Sequence, residues 1–308
     1  MNIPHNIGIS IGDPFGIGAE VVLKALCALT LEEVKNIFLF APKNLIAKTE
    51  TLTKLKLPAE VDVVSVAEAE DLDSPLIALE SLKLALQYAD EKKIRTLVTA
   101  PLNKKRITTI LPDFFGHTEY LGKHCKAHPV MMFAARNERF KIMLNTIHVP
   151  LRKVCEHLDV ESIVKNISVA VVELKKHFNL STPKIAVLGI NPHAGEDGHL
   201  GDEEKTILEP ALAKLKLKNI YADGPFSADA FFGQKKYLNY DLIVAAYHDQ
   251  GLIPAKLLFA KKILNITLGL PFLRVSPAHG TAEDIAWKGV ADECSMLEAI
   301  KFAQENQK

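Results

Sequence analysis

Residues 159–193, DVESIVKNISVAVVELKKHFNLSTPKIAVLGINPH, place two different apolar periods end to end. Val160, Ile163, Val164, Ile167, Val171, Leu174 and Phe178 recur three or four apart, which predicts an amphipathic helix over 159–178 with Asp159 as its cap. The next apolar run, 185–190, is too short for a typical helix and reads as a buried strand that ends in Asn191-Pro192-His193. A helix, a strand and a polar loop in direct succession form the repeating unit of an α/β protein.

The same reading extends in both directions. Runs 7–11, 37–41, 61–66, 97–100, 141–145 and 242–246 are short, rich in Val, Ile and Leu, and bounded by turn residues, so each predicts a strand. Residues 74–93 predict a second helix, with Ser74 as N-cap, Pro75 in the first helical position and Leu79, Leu82 and Leu86 on one face. Asp202, Glu203 and Glu204 read as the acidic opening of a further helix. The expected fold class is α/β. With 308 residues the chain is long enough for two domains or one large unit, and no repeat, low-complexity tract or Ser/Gly linker marks a joint.

Composition narrows the function classes. Hydrophobic residues make up 48% and charged residues 24%, which excludes disorder, collagen and coiled coil. Lys+Arg and Asp+Glu both number 37, so no overall field recruits nucleic acid or an anionic membrane. Cys27, Cys125, Cys155 and Cys294 form no C-x-x-C pair, so neither a disulfide framework nor a thiolate zinc site is indicated. The N-terminal residues lack the pattern of a secretory signal, and the best apolar run, 263–273, is interrupted by Asn265 and Pro271, well short of the ~18 residues that span a bilayer. The expected location is cytoplasmic.

Three of the eleven histidines, His148, His193 and His248, each fall just after the C-terminal end of a predicted strand. That edge of an open α/β sheet is where ligands bind, and three imidazoles meeting there would give a divalent metal three nitrogens and leave positions open for substrate. The loops around them, 191–199 and 247–251, are polar and glycine-containing. Asp249 could orient a ligand or take a proton, and equally could cap a helix. His199 reads as solvent-exposed.

Residues 12–18, GDPFGIG, join the first strand to the first helix, yet their spacing matches neither G-x-G-x-x-G nor the P-loop. A tight βα turn is the simpler reading. His117 and Thr118, in GHTEY, offer an imidazole, a hydroxyl and backbone amides to an anion. Lys256, Asn265 and Arg274 flank the apolar stretch 265–272, where cations would neutralise a charged substrate.

These motifs occur as an ordered set. GDPFGIGAE from Gly12, TAPLNK from Thr99, GHTEYL from Gly116, HVPLR from His148, NPHAGE from Asn191, YHDQG from Tyr247, NITLGLPFLRVS from Asn265 and HGTAEDIA from His279 together resemble the 4-hydroxythreonine-4-phosphate dehydrogenase family of vitamin B6 biosynthesis. The resemblance covers essentially the whole chain. It implies a divalent metal (zinc, magnesium or cobalt) on His148, His193 and His248, and a phosphorylated substrate on His117, Thr118, Lys256, Asn265 and Arg274. It also implies carboxylates Asp229 and Asp249 near the reacting centre, with Asp249, Asp229 and Lys256 as candidates for the general base. NAD or NADP would bind a loop containing His279, Gly280, Thr281, Ala282 and Asp284. The family shares its architecture with isocitrate and isopropylmalate dehydrogenases. The resemblance therefore implies two α/β domains with a cleft between them, 1–118 with 275–308 forming one, and 119–274 the other, carrying the metal histidines and the contacts of a homodimer whose partner completes the active site.

The implied reaction is oxidation of 4-phosphooxy-L-threonine at C3 by NAD(P), then decarboxylation to 3-amino-1-hydroxyacetone phosphate. Two other readings fit the same residues: a dehydrogenase of threonate or erythronate phosphate, and a metal-dependent phosphohydrolase. The first motif departs from the family's usual D/E-P-A-G-I-G-P-E at Phe15 and Ala19, which implies an altered local wall. The chain is also slightly short for the family, a difference expected in loops.

Overall fold

A computed structural model of the chain describes residues 6–66 and 74–306. It contains strands β1 (Ile7–Ser10), β2 (Ile37–Ala41), β3 (Asp62–Ser65), β4 (Thr96–Thr99), β5 (Val130–Ala135), β6 (Lys141–Leu144), β7 (Ile185–Leu188), β8 (Ala222–Phe226), β9 (Leu242–Ala245), β10 (Ile263–Leu268) and β11 (Leu273–Pro277). The predicted runs all became strands. β5, β8, β10 and β11 had no such prediction. β8, ADGPF, carries a glycine and a proline that break the usual strand signature, while β10 and β11 lie inside one long apolar stretch whose turn at 269–272 hides the division.

By contacts the chain forms two units, Met1–Ala127 with Leu264–Ile266 and Leu270–Lys308, and His128–Ile263 with Thr267–Gly269. The sequence-based division after 118 and 274 would cut the helix His117–Cys125 and strand β11, whereas each of these elements stays whole in the first unit.

In the first unit the strands run β3-β2-β1-β4-β11, all parallel. The chain moves from β1 outward to β3 and then returns to the other side of β1 with β4. The C-terminal ends of β1 and β4 therefore flank a point where the connections diverge, the standard position for a ligand crevice. Helix Leu76–Asp90 packs Leu79, Leu82 and Leu86 into a core shared with Phe40, Leu97, Phe114 and Leu121. It begins one residue later than Pro75 and ends at Asp90 rather than Lys93, although the Ser74 hydroxyl does accept the Leu76 amide at 3.3 Å.

The second unit runs β5-β6-β9-β7-β8, with β5 antiparallel to β6 and the rest parallel. Helix Val160–Phe178 forms as predicted: Asp159 accepts the Ser162 amide at 2.8 Å in a capping box, and Ile163, Ile167, Val171 and Leu174 are buried. Here the connections diverge between β7 and β9, and both strands end at histidine-bearing loops.

Candidate functional site

The three histidines follow the ends of three neighbouring parallel strands, β6, β9 and β7. Side chains fasten those ends together. The Thr146 hydroxyl donates to the Ala246 carbonyl at 2.8 Å, and the Thr146 amide reaches the same oxygen at 3.0 Å, which joins the β6 and β9 ends. The β9 and β7 ends are joined by Gln250, whose Oε1 accepts the Ala246 amide while its Nε2 donates to the Gly189 carbonyl, both at 2.7 Å. His148 and His248 then lie with ring centroids 5.8 Å apart. His248 opens the helix His248–Phe259, and its Nδ1 meets Asp249 Oδ1 at 2.7 Å. A carboxylate oxygen at that position accepts from Nδ1–H, which leaves Nε2 of the neutral imidazole as the nitrogen able to ligate a metal.

His193 is presented differently. His193, Ala194, Gly195, Glu196 and Asp197 all adopt left-handed backbone angles, with φ between 42° and 81°. For L-residues such a turn costs roughly 1–2 kcal/mol per non-glycine position. A strained segment of this kind persists only where its surroundings determine it. The surroundings here are Glu204, 3% exposed, whose Oε1 accepts the amides of Ile190 (2.7 Å) and Asn191 (2.8 Å) while Oε2 accepts Asn191 Nδ2 (3.0 Å). Glu204 thus turns inward instead of decorating a helix start, and a π-type turn, Glu204–Leu208, precedes the α-helix Glu209–Leu217.

Beside this turn a cavity of about 530 Å³ is lined by His193, Ser227, Asp229, Tyr247, Asp249 and Gln250, among others. Asp229 Oδ1 accepts the Ser227 hydroxyl at 2.5 Å; that bond, the Ala230 amide and the nearby His193 hold its carboxyl below the usual range. Asp229 is therefore an ionised carboxylate in reach of His193. A second cavity, about 510 Å³, opens where β7 begins, at the opposite strand end from the histidines.

Among the described residues no three His, Cys, Asp or Glu side chains are assembled as a metal site, so His193 does not close a three-imidazole cluster with His148 and His248 in this structure. The donor set still fits a divalent metal chemically. It comprises three imidazoles at adjacent strand ends, one with its tautomer set by a carboxylate, and no thiolate.

In the first unit, Arg274 on β11 is 3% exposed and donates Nε (3.2 Å) and Nη2 (2.8 Å) to the Thr99 hydroxyl at the end of β4. Burial pushes its guanidinium pKa down to about 10. Half-buried His117, at the start of helix His117–Cys125, is pushed well below its ordinary value by burial and by the charges of Arg274 and Lys104. Thr118 beside it is buried. Two cations, a neutral imidazole, a hydroxyl and a helix N-terminus in one place suit an anion such as a phosphate. Asn265 Oδ1 is buried with no hydrogen-bond partner among the described residues, whereas Lys256 is exposed.

The GDPFGIG turn does not cradle an anion. A Cβ on Gly16 would lie 2.8 Å from the Thr281 carbonyl, and the Ile17 amide donates to that oxygen at 2.9 Å, so the glycine serves close backbone packing. Buried Asp13 and partly exposed Glu283 share Arg106, at 3.2 Å and 2.6 Å, and the bonds from Arg106 and Asn103 pull the Glu283 carboxyl down to about 2. The Arg106 guanidinium lies 4.3 Å over the Phe15 ring. The loop carrying His279, Gly280, Thr281, Ala282 and Asp284 is thus tied to the first turn, and His279 Nε2 is buried without a partner among the described residues.

Gln250, Glu204, Lys104 and Thr99 were read only as parts of motifs or as a helix start. Their roles depend on distant partners, for which a single sequence carries no spacing signal.

A family model described as "Pyridoxal phosphate biosynthetic protein PdxA" matches residues 11–303. The chain is 37% identical to a 4-hydroxythreonine-4-phosphate dehydrogenase of Sulfurihydrogenibium sp., covering 96% of this chain and 97% of the relative. It is 36% identical to one of Bacteroides thetaiotaomicron, covering 96% and 87%. The crystal structure of 4-hydroxythreonine-4-phosphate dehydrogenase from Klebsiella pneumoniae superposes with a TM-score of 0.87 at 32% identity, covering 99% of this chain and all of that one. With the motifs in order, the strand-end histidines and this full-length likeness, the chain belongs to the PdxA family of pyridoxal phosphate biosynthesis proteins.

Proposed function

We propose that the chain is an NAD(P)-linked, metal-dependent dehydrogenase that oxidises 4-phosphooxy-L-threonine at C3 and decarboxylates the product. The observation that carries this reading is the full-length likeness to relatives bearing that name. When bound, a divalent metal on His148, His193 and His248 supplies Lewis-acid polarisation of the substrate oxygens, and the dinucleotide accepts the hydride. His117, Thr118 and Arg274, with Lys256 and Asn265, bind the phosphorylated substrate. The first three are preset for an anion, because His117 is neutral at pH 7 and Arg274 is held in place by Thr99.

Asp229 is assigned to receive the C3 hydroxyl proton. Asp249 is engaged in orienting His248, while Asp229 is ionised beside His193 and lines the cavity. Asp229 takes the C3 hydroxyl proton; a dinucleotide, once bound, would accept the C3 hydride, and the enolate left as carbon dioxide departs from the β-keto acid would take a proton to give the ketone. His279, Gly280, Thr281, Ala282 and Asp284 are assigned to the dinucleotide. A homodimer with a partner-completed site and residence in the cytoplasm belong to the same proposal and rest on the resemblance.

The test is growth of reduced-nicotinamide absorbance with purified protein, 4-phosphooxy-L-threonine and NAD or NADP, with and without chelator and added divalent metal. Metal-dependent growth with carbon dioxide release is expected. No signal from folded protein under any metal, with turnover of threonate or erythronate phosphate instead, would overturn the substrate. Release of phosphate without nicotinamide reduction would overturn the dehydrogenase.

A further inference from the structure

We propose that Glu204 is a positioning residue that fixes the backbone from which His193 departs, and so sets the affinity of this histidine for the metal; the assignment rests on the metal reading above. Three observations converge on it. Glu204 is buried, and a carboxylate in such a place is kept only where hydrogen bonds compensate it. Among the described residues, every hydrogen bond its carboxylate makes goes to the two residues before Pro192 and the strained turn: the amides of Ile190 and Asn191 and the Asn191 side chain. The turn itself wraps around the carboxylate, since a Cβ on Gly195 would lie 2.6 Å from Glu204 Oε2 and one on Gly189 would lie 2.9 Å from Ala194.

The Glu204 carboxylate therefore fixes where the chain leaves β7 and fills the space the left-handed turn encloses. Glu203 adds a grip from outside by accepting Asn191 Nδ2 at 2.6 Å. His193 is the third residue after Ile190 and inherits its direction from this anchor. Asp249 orients His248 by touching its ring, whereas Glu204 acts on His193 through the backbone.

Cobalt(II) titration of chelator-treated protein, followed by its visible absorption bands, tests the proposal. Glu204→Ala is expected to weaken cobalt affinity about 10- to 100-fold and to alter the bands, as losing an outer-shell partner does. Glu204→Gln keeps an acceptor for the Ile190 and Asn191 amides and is expected to fall between that variant and the unaltered chain. Leu215→Ala, which opens the core under the following helix, is expected to lower the melting temperature and leave affinity and bands unchanged. Native affinity and bands in folded Glu204→Ala overturn the proposal, and should that variant not fold, native values in Glu204→Gln do so. Failure of the unaltered chain to bind cobalt, or binding unchanged by His193→Ala, overturns the metal reading itself and this assignment with it.

Discussion

The side-chain amide of Gln250 donates to the Gly189 carbonyl at 2.7 Å, and its oxygen holds the Ala246 amide, so one residue braces the ends of β7 and β9. Gln250→Leu leaves a strand-end carbonyl and amide unpaired. Chemical denaturation should show a loss of about 2 kcal/mol, the sum of two ordinary hydrogen bonds. Gln250→Glu, which keeps the acceptor but turns a second oxygen toward Gly189, should retain part of that stability, and both variants should lose metal affinity.

Thr99 gives buried Arg274 an acceptor for two of its N–H groups. Thr99→Val keeps the shape and removes the acceptor. The expected outcome is a destabilisation of about 1–3 kcal/mol. Steady-state kinetics should show a raised KM for the phosphorylated substrate with a smaller change in kcat.

His117 is held well below its ordinary value by burial, Arg274 and Lys104. Below about pH 6.5 the unfolded chain therefore binds a proton at this residue that the folded chain does not, and its contribution to stability, complete above that value, is lost as pH falls toward the folded pKa. Thermal melts between pH 7 and pH 5 should fall more steeply for the unaltered chain than for His117→Gln. Parallel slopes would contradict the assignment.

Trp287, the single tryptophan, donates its indole N–H to the Pro14 carbonyl at 2.9 Å and lies under Lys48 at 4.1 Å. It follows directly on the loop assigned to the dinucleotide. Adding NADH to the protein should quench or shift its emission in a saturable manner. Trp287→Phe should abolish that signal, and emission indifferent to NADH would count against the loop assignment.

Much of this was legible in the chain itself. The helix 160–178 and strands such as β1, β7 and β9 carry their periods locally, and the histidines announce themselves by following strand runs. β8 escaped because Gly224 and Pro225 mimic a turn, and the break between β10 and β11 because Gly269 and Pro271 sit among apolar residues that continue on both sides of them. At the site, Glu204 looked like a helix opener because acidic residues in a first turn are common. Its inward rotation is set by Ile190 and Asn191, which no local pattern connects to it. Arg106 and Glu283 are separated by 177 positions, and only the folded chain pairs them.

The left-handed turn from His193 to Asp197 also restricts how this chain can drift. Proline is barred from those five positions because its ring fixes φ at about −65°, and β-branched residues because their side chains crowd the backbone there. The mirror-image amino acids would be at ease in it. A protein assembled by chemical ligation with D-alanine in place of Gly195 should melt higher than one with L-alanine, because chirality alone decides which way the new methyl group points.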